Sequence, residues 1–402
     1  MSLQSTHFLN LEKSLNDFPE DLRKALSKII TKEGYVCCNV TKRALSTKGG
    51  NFLGILHAVD IKGTTNEGEK EINIFVKQAN IMNKINAISI ADIYSNEVYV
   101  YSELAKVFTY LQNEASIPDN ERFKMANSYN ESNDKAIILE NLVTKGYKSF
   151  NRLEVMSLKF AELSVEQLAK FHGLSFVMQR KRPDFYEKRI KNKKWPVKFD
   201  SDWNVFITNI CNKAIEVLDS KVQGKVKKLL PTFGETYRRY LNDNAPVWVL
   251  CHGDVKVNNI MMKEINSEIT EVMLLDYQFI YHGCPINDFI YFIFSSTDQK
   301  LRREHLGHLK CLYYESLKNF LEYFNMDVEL IFPRKLFEQI YEDRLDYGLL
   351  IGLYLSYFMF VPEDELPDTE NIAMADVVFN PSDKCKKWVR ELIDDFILWG
   401  YL

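Results

Sequence analysis

The sequence predicts an α+β fold in two lobes, a small antiparallel-sheet lobe followed by a larger, mainly helical one. Length is the first ground, because 402 residues exceed the usual reach of one hydrophobic core. The second is a change of pattern near Leu142, from strand-like alternation to helical periodicity. The third is that one hairpin pattern, near residues 257–275, interrupts the later helices.

Taken in order, the elements begin with an amphipathic helix from Pro19 to Ile30. Leu22, Ala25, Leu26 and Ile29 fall on one face, and Pro19 suits a first turn. Residues 1–33 therefore read as a helical extension. Three strands are expected next, over Val36–Leu45, Phe52–Ile61 and Glu71–Gln78. Gly49-Gly50 turns the chain between the first two, and a polar turn over Lys62–Lys70 joins the last two. In the third strand Ile72, Ile74 and Val76 alternate to one face, which turns Lys77 to the other. A helix over Asp92–Val107 carries Glu97, and the short strand Ala136–Leu139 breaks into Glu140-Asn141-Leu142. The first lobe thus spans 34–141 and the second 142–402. In the second, Ser164 and Gln167 have capping-box spacing ahead of Leu168, Phe171 and Leu174. The hairpin has arms Val257–Met262 and Glu271–Leu275, with Asn266 and Ser267 in its turn.

Composition excludes several classes. Hydrophobic residues at 46% and charged residues at 26% are ordinary for a soluble globular chain. A formal net charge of −4 gives no reason to expect nucleic acid or an anionic membrane as partner. Seven scattered cysteines and no signal-like segment ahead of Phe8 favour reduced thiols and a cytoplasmic location. The sequons at Asn39 and Asn130 are then expected to be unmodified. The most apolar stretch, Gly348 to Val361, falls short of the roughly 20 residues a bilayer span needs. Asp343, Arg344 and Asp346 abut one end and Pro362-Glu363-Asp364 closes the other, so a buried helix is expected. Nothing in the chain calls for an obligate protein partner.

Chemistry gathers around the hairpin. Cys251-His252-Gly253-Asp254 precedes its first arm, Asn259 lies inside that arm, and Asp276 ends the second. Antiparallel arms bring their open ends together, so Asn259 and Asp276 can meet one ion. Magnesium takes hard oxygen ligands plus phosphate oxygens, which an amide and a carboxylate can supply. Asp254 is then left to orient an attacking hydroxyl. This acid–amide–acid order is what phosphoryl transfer from ATP requires. In the first lobe, a strand lysine such as Lys77 suits phosphate oxygens, and Glu97 suits the ion pair that would fix it. A solvated strand lysine is the plain alternative, and the strand-then-helix order ahead of the motif argues against it. Gly49-Gly50-Asn51 suits backbone N–H groups approaching phosphate, although an ordinary hairpin turn explains it nearly as well.

With these residues in view, the chain resembles the ecdysteroid kinase-like family, a branch of the kinase-like fold related to choline kinases and aminoglycoside phosphotransferases. The resemblance rests on the Lys77 strand, Asn96-Glu97-Val98-Tyr99 and Leu139-Glu140-Asn141-Leu142. It continues through His252-Gly253-Asp254, Asn258-Asn259, Asp276-Tyr277-Gln278 and Pro285-Ile286-Asn287-Asp288-Phe289, covering roughly Gly34 to Val361. It implies a two-lobed protein-kinase-like fold, with nucleotide bound by 34–141 and catalytic and substrate-binding groups in 142–402. It further implies Asp254 as catalytic base, Asn259 and Asp276 as magnesium ligands, Lys77 at the nucleotide phosphates, and Glu140 to Leu142 as a hinge whose backbone meets adenine. ATP and Mg2+ are the implied cofactors. Ecdysteroids, or dietary and xenobiotic alcohols, phenols and glycosides, are the implied acceptors. A choline- or aminoglycoside-type acceptor would use the same chemistry but call for an acidic or aromatic cage. Two departures stand out: Tyr277 where Phe is more usual, and Lys256 where an aromatic residue is common. Neither removes a catalytic group. A non-catalytic nucleotide-binding scaffold is a further alternative, against which the intact acid–amide–acid set argues.

Spacing separates peptide from small-molecule acceptors. Protein kinases place a long activation segment after the metal-binding aspartate. Here only Tyr277 to Asn287 intervenes before Asp288 and the apolar Phe289–Phe294, which favours a small molecule. Asp288 either orients the catalytic loop or caps the following helix; like His252, it is a supporting residue. Cys251 and His252 are adjacent on an extended segment and point apart, so they form no nucleophile–base pair. Cys251, His252, His282 and Cys284 lack paired C-x-x-C spacing for zinc. His172, in an apolar helix, reads as a hydrogen-bonded core histidine. The basic run Arg180–Lys194 is interrupted by Asp184, Phe185, Tyr186 and Glu187, and reads as an exposed face.

Overall fold

Period-two alternation builds the first of two compact units, which comprises residues 1–83, 90–107 and 125–148. The computed structural model describes residues 15, 17–45, 54–79, 89–198, 201–242, 245–361 and 380–402. Strands β1 (Tyr35–Leu45), β2 (Gly54–Thr65), β3 (Gly68–Ala79) and β4 (Ala136–Glu140) form one antiparallel sheet in that order. Ile74 and Val76 of β3 are buried with Val59, Ile61 and Ile138, as the alternation requires. Against them packs the amphipathic helix Glu20–Lys32 through Leu22, Ala25, Leu26, Ile29 and Ile30. The polar turn expected over Lys62–Lys70 is mostly strand. Cross-strand pairs such as Lys62–Glu71, 3.0 Å apart, keep charged residues in the ladder on an exposed face, and the hairpin closes at residues 66–67. The Gly49-Gly50-Asn51 turn lies outside the described residues.

The expected Asp92–Val107 helix spans Ile90–Tyr99 and a π-helical stretch, Val100–Leu104, and continues as Ala105–Glu114. Beyond β4, Asn141 Oδ1 accepts from Val143 N at 3.1 Å and heads a short 3-10 turn, which Gly146 ends in the left-handed region.

The second unit holds residues 84–89, 108–124 and 149–402, including all five tryptophans of the chain. Its long helix Leu158–Lys181 starts about two turns earlier than the capping-box spacing at Ser164 suggests. Ser157 is the cap, its Oγ accepting from Phe160 N at 3.2 Å. Ser164 lies inside the helix and donates back to Phe160 O at 2.7 Å. This helix packs on Gln299–Glu322, and at Gly173 an added Cβ would meet Phe320 at 2.7 Å. The basic run forms the end of Leu158–Lys181 and the helix Pro183–Arg189.

The hairpin that frames the motif has arms Ile260–Ile265 and Glu268–Leu274, turned by Asn266 and Ser267 at positive φ. Val257–Asn259, expected as strand, is a 3-10 turn. Beside that turn lies the wholly buried helix Pro285–Ser296, against which packs the apolar helix Leu345–Phe360. These two pack so tightly that a Cβ on Gly348 would lie 2.6 Å from the Phe294 ring. Among the described residues, no helix is long and apolar enough to cross a membrane. Residues 362–364, expected to close that segment, lie outside the described residues.

Candidate functional site

The sequence-predicted residues fall into two sets, one in each unit. In the second unit the chain leaves strand Val249–Cys251 and turns sharply at Gly253, φ +81°. A Cβ there would sit 2.2 Å from Phe279 O and 2.7 Å from the Trp195 ring, so glycine is required. The turn is clamped by Asp288 of the Pro285–Ser296 helix. His252 N donates to Asp288 Oδ2 at 2.5 Å and Gly253 N to Oδ1 at 2.9 Å. His172 Nε2 also meets Asp288 Oδ2 at 3.1 Å, while its Nδ1 pairs with Tyr313 OH at 2.7 Å. Of the two sequence readings for Asp288, its side chain orients the loop.

His252 bridges the two strands of the motif. Asp254 N donates to its Nδ1 at 3.3 Å, which leaves the proton on Nε2, 3.0 Å from Leu275 O. Burial holds its pKa below the usual histidine value, against the pull of Asp288, Asp254 and Asp276. It is a neutral strut.

Asp254 is 5% exposed and thoroughly bonded. Tyr291 OH donates to Oδ1 at 2.6 Å, and Asn259 Nδ2 donates to Oδ2 at 2.8 Å and to the main-chain O at 2.7 Å. Lys256 Nζ lies 2.6 Å from both carboxylate oxygens. Burial first, then the charge of Asp254, pushes the Tyr291 phenol well above its ordinary pKa, so it stays a donor.

Asn259 is not in the hairpin arm, as the sequence suggested, but in the turn before it. Its N–H donates to Lys256 O at 2.8 Å, and this curl lets its amide reach back to Asp254. The amide nitrogen being spent there, Oδ1 accepts no hydrogen bond among the described residues. Leu275 N donates to Asn259 O at 2.8 Å, so Asn259 pairs with the residue just before Asp276. Asp276 lies two residues beyond the second arm, at φ 67° and ψ 61°, a conformation costly for a non-glycine residue, by roughly 1–3 kcal/mol. A free amide oxygen and a carboxylate fit a hard divalent cation such as magnesium.

Zinc fits less well. His172, Cys251 and Asp288 place donor atoms within 4.8 Å of one another. Both histidine nitrogens are engaged, Cys251 Sγ donates to Cys284 O at 3.3 Å, and Asp288 receives three donors. This is a hydrogen-bond network. His282, from the other zinc combination considered, bonds Tyr186 OH at 2.9 Å and stacks on Trp248.

Sequence reasoning missed Tyr291, whose one signal is a polar tip in an apolar run. It also missed an aromatic wall behind Gly253. There Trp195 stacks on Phe279 at 5.3 Å and meets Tyr281 edge-on at 5.4 Å and Tyr237 at 6.0 Å. Trp195 Nε1 is buried without a hydrogen-bond partner among the described residues.

In the first unit Lys77 Nζ and Glu97 Oε2 are 2.8 Å apart, with both side chains buried. β3 positions the lysine opposite Ile137 of β4, and the Ile90–Tyr99 helix positions the glutamate. At the end of β4, Glu140 accepts from Asn127 N at 3.0 Å and Nδ2 at 2.9 Å, and pairs with Lys145. Burial raises its pKa, but the bonds from Lys145 and Asn127 outweigh this and hold it low. Asn141 N donates to Asn73 O at 3.0 Å, and Leu142 is buried.

No curated protein sequence matches this chain. Among solved structures it is similar to an ethanolamine kinase of Plasmodium vivax, with a TM-score of 0.43 and 12% identity over 100% of this chain and 96% of that one. It is also similar to an aminoglycoside phosphotransferase of Streptomyces rimosus, with a TM-score of 0.33 and 12% identity over 83% and 98%. A GDP complex of an aminoglycoside 2'-phosphotransferase scores 0.38 with 11% identity over 95% and 100%. TM-scores below 0.5 say nothing about the substrate. The sequence model of the ecdysteroid kinase-like family matches residues 48–326, well over half of the chain. The chain therefore belongs to the ecdysteroid kinase-like family, a small-molecule kinase-like family.

Proposed function

We propose that this chain is an ATP- and magnesium-dependent kinase that phosphorylates a hydroxyl of a small organic molecule, an ecdysteroid-like or a dietary or xenobiotic alcohol. The observation that carries it is Asp254, a nearly buried carboxylate held by Tyr291 and Asn259, next to an asparagine whose amide oxygen is free. In this reading Asp254 aligns the acceptor hydroxyl and takes its proton. Asn259 Oδ1 and Asp276 hold magnesium, which would neutralise charge on the phosphates. Lys77, fixed by Glu97, takes nucleotide phosphate oxygens, while Gly49, Gly50 and Asn51 offer backbone N–H groups and Glu140 to Leu142 main-chain groups to the base. His252 and Asp288 keep the Asp254 loop in shape.

The aromatic wall supports an acceptor with an apolar or ring-bearing body packed near Trp195 and Phe279, both partly exposed. It also favours one second reading, a cationic amino alcohol held over an aromatic face. Incubation with labelled ATP, Mg2+ and a metabolite extract, followed by mass spectrometry for new phosphomonoesters, tests both. A phosphorylated neutral ring compound supports the first, and a phosphorylated amine the second. Asp254→Asn is expected to lower turnover by on the order of 10²–10⁴-fold, the usual worth of a general base, with ATP binding kept. Near-normal turnover in that variant overturns the assignment.

A further inference from the structure

We infer that Lys256 is a guard on Asp254: its ammonium caps the carboxylate at rest, and the acceptor hydroxyl reaches the base only by displacing it. This rests on the kinase reading above. A carboxylate offers about four lone-pair sites, and at Asp254 four donor contacts fill them. Oδ1 takes Tyr291 OH and Lys256 Nζ, and Oδ2 takes Asn259 Nδ2 and Lys256 Nζ. A general base must come within about 2.6–3.2 Å of the proton it removes. The lysine nitrogen, 2.6 Å from both oxygens, occupies that shell.

One of the three donors must therefore leave before the carboxylate can act, and they differ in freedom. Tyr291 is 4% exposed on a wholly buried helix. Asn259 is 4% exposed and tied a second time, to Asp254 O. The Lys256 side chain is 18% exposed, on a flexible four-carbon stem. Lysine is the group that moves. Of the three donors it is the most exposed, and its stem lets the ammonium swing out to water.

The consequence is selectivity between acceptor and water. Asp254 takes the proton of whichever oxygen attacks, as that oxygen's bond to phosphorus forms and the bond to departing ADP breaks. An acceptor brings binding energy from the rest of its body to expel the ammonium. Water brings none, so at rest the base is shielded from it and ATP is not wasted.

The test uses the full chain with Mg·ATP and no acceptor. Lys256→Met is expected to raise ATP hydrolysis by about 5-fold or more, and Lys256→Arg to keep it near the wild-type rate. A second readout is independent of turnover. Lys256 should acetylate more slowly than the exposed lysines in the wild type, and several-fold faster in Asp254→Asn, by peptide mass spectrometry. Unchanged or lower hydrolysis in Lys256→Met, or equal labelling in Asp254→Asn, overturns the guard. Failure of Mg·ATP to shift the melting temperature of the wild type overturns the kinase reading instead, and the labelling result still judges the Lys256–Asp254 pair.

Discussion

Tyr291 and Asn259 hold the same carboxylate from opposite oxygens, and they differ in how visible they are. Asn259 is five residues from Asp254, so its spacing was enough to single it out. Tyr291 is 37 residues away in an apolar helix, where a phenol reads as core. Its role depends on how the Pro285–Ser296 helix docks, which local pattern does not encode. Tyr291→Phe removes one 2.6 Å charge-assisted hydrogen bond at almost constant shape. Such bonds contribute about 1.5–3 kcal/mol, so turnover with an acceptor from the extract screen is expected to drop about 10- to 100-fold. Steady-state kinetics should put the loss in kcat, and the melting temperature should fall by a few degrees. A loss confined to KM would mean that Tyr291 holds acceptor rather than Asp254.

At the level of elements, period-two alternation placed β3 and the side of Lys77 correctly, because apolar residues every second position admit one buried face. The same reasoning set the first hairpin arm too early and the second too late. Val257 looks like strand, yet its N–H donates to Ser296 Oγ at 3.0 Å, a tertiary bond that bends the segment into a turn. Ser164 failed for a related reason. It has cap spacing, but Ser157 comes first and already satisfies the orphan N–H. Helix packing yields a sharper expectation at Gly348. In an ordinary helix Gly→Ala gains up to about 1 kcal/mol. Here the new methyl would lie 2.6 Å from Phe294, and overpacking costs about 1–3 kcal/mol. Gly348→Ala should therefore lower the denaturation midpoint of the second unit. A rise would show that the Phe294 ring yields without cost.

Across the molecule, buried histidines tie stability to pH. Burial holds His252 below its usual value, and burial together with Lys191 takes His282 down to about 4. Below about pH 6.5 an unfolded histidine binds a proton that these native ones refuse. The His282 contribution is thus complete above about pH 6.5 and is lost as pH falls toward about 4, and that of His252 is lost in the same direction. Scanning calorimetry should show the melting temperature falling across that window, with a shallower slope in His282→Gln. An unchanged slope would mean that His282 protonates freely in the folded protein. Glu338, held low because bonds from Lys310 and Arg334 outweigh burial, adds its loss at the acid end. The fold class was legible because the change from alternation to helical periodicity is a property of long windows. Which helix touches which carboxylate was not, being decided by contacts more than a hundred residues apart, such as His172 to Asp288.

The five tryptophans, all in the second unit, give the molecule an uneven optics. Tryptophan fluorescence, excited selectively, reports that unit and is silent about the sheet that carries Lys77. Trp195 stands beside the Asp254 loop, its ring 2.7 Å from where a Cβ on Gly253 would stand, so its spectrum should register an arriving acceptor without any label. Trp248, stacked 4.8 Å from His282, carries a proton-dependent quencher of its own.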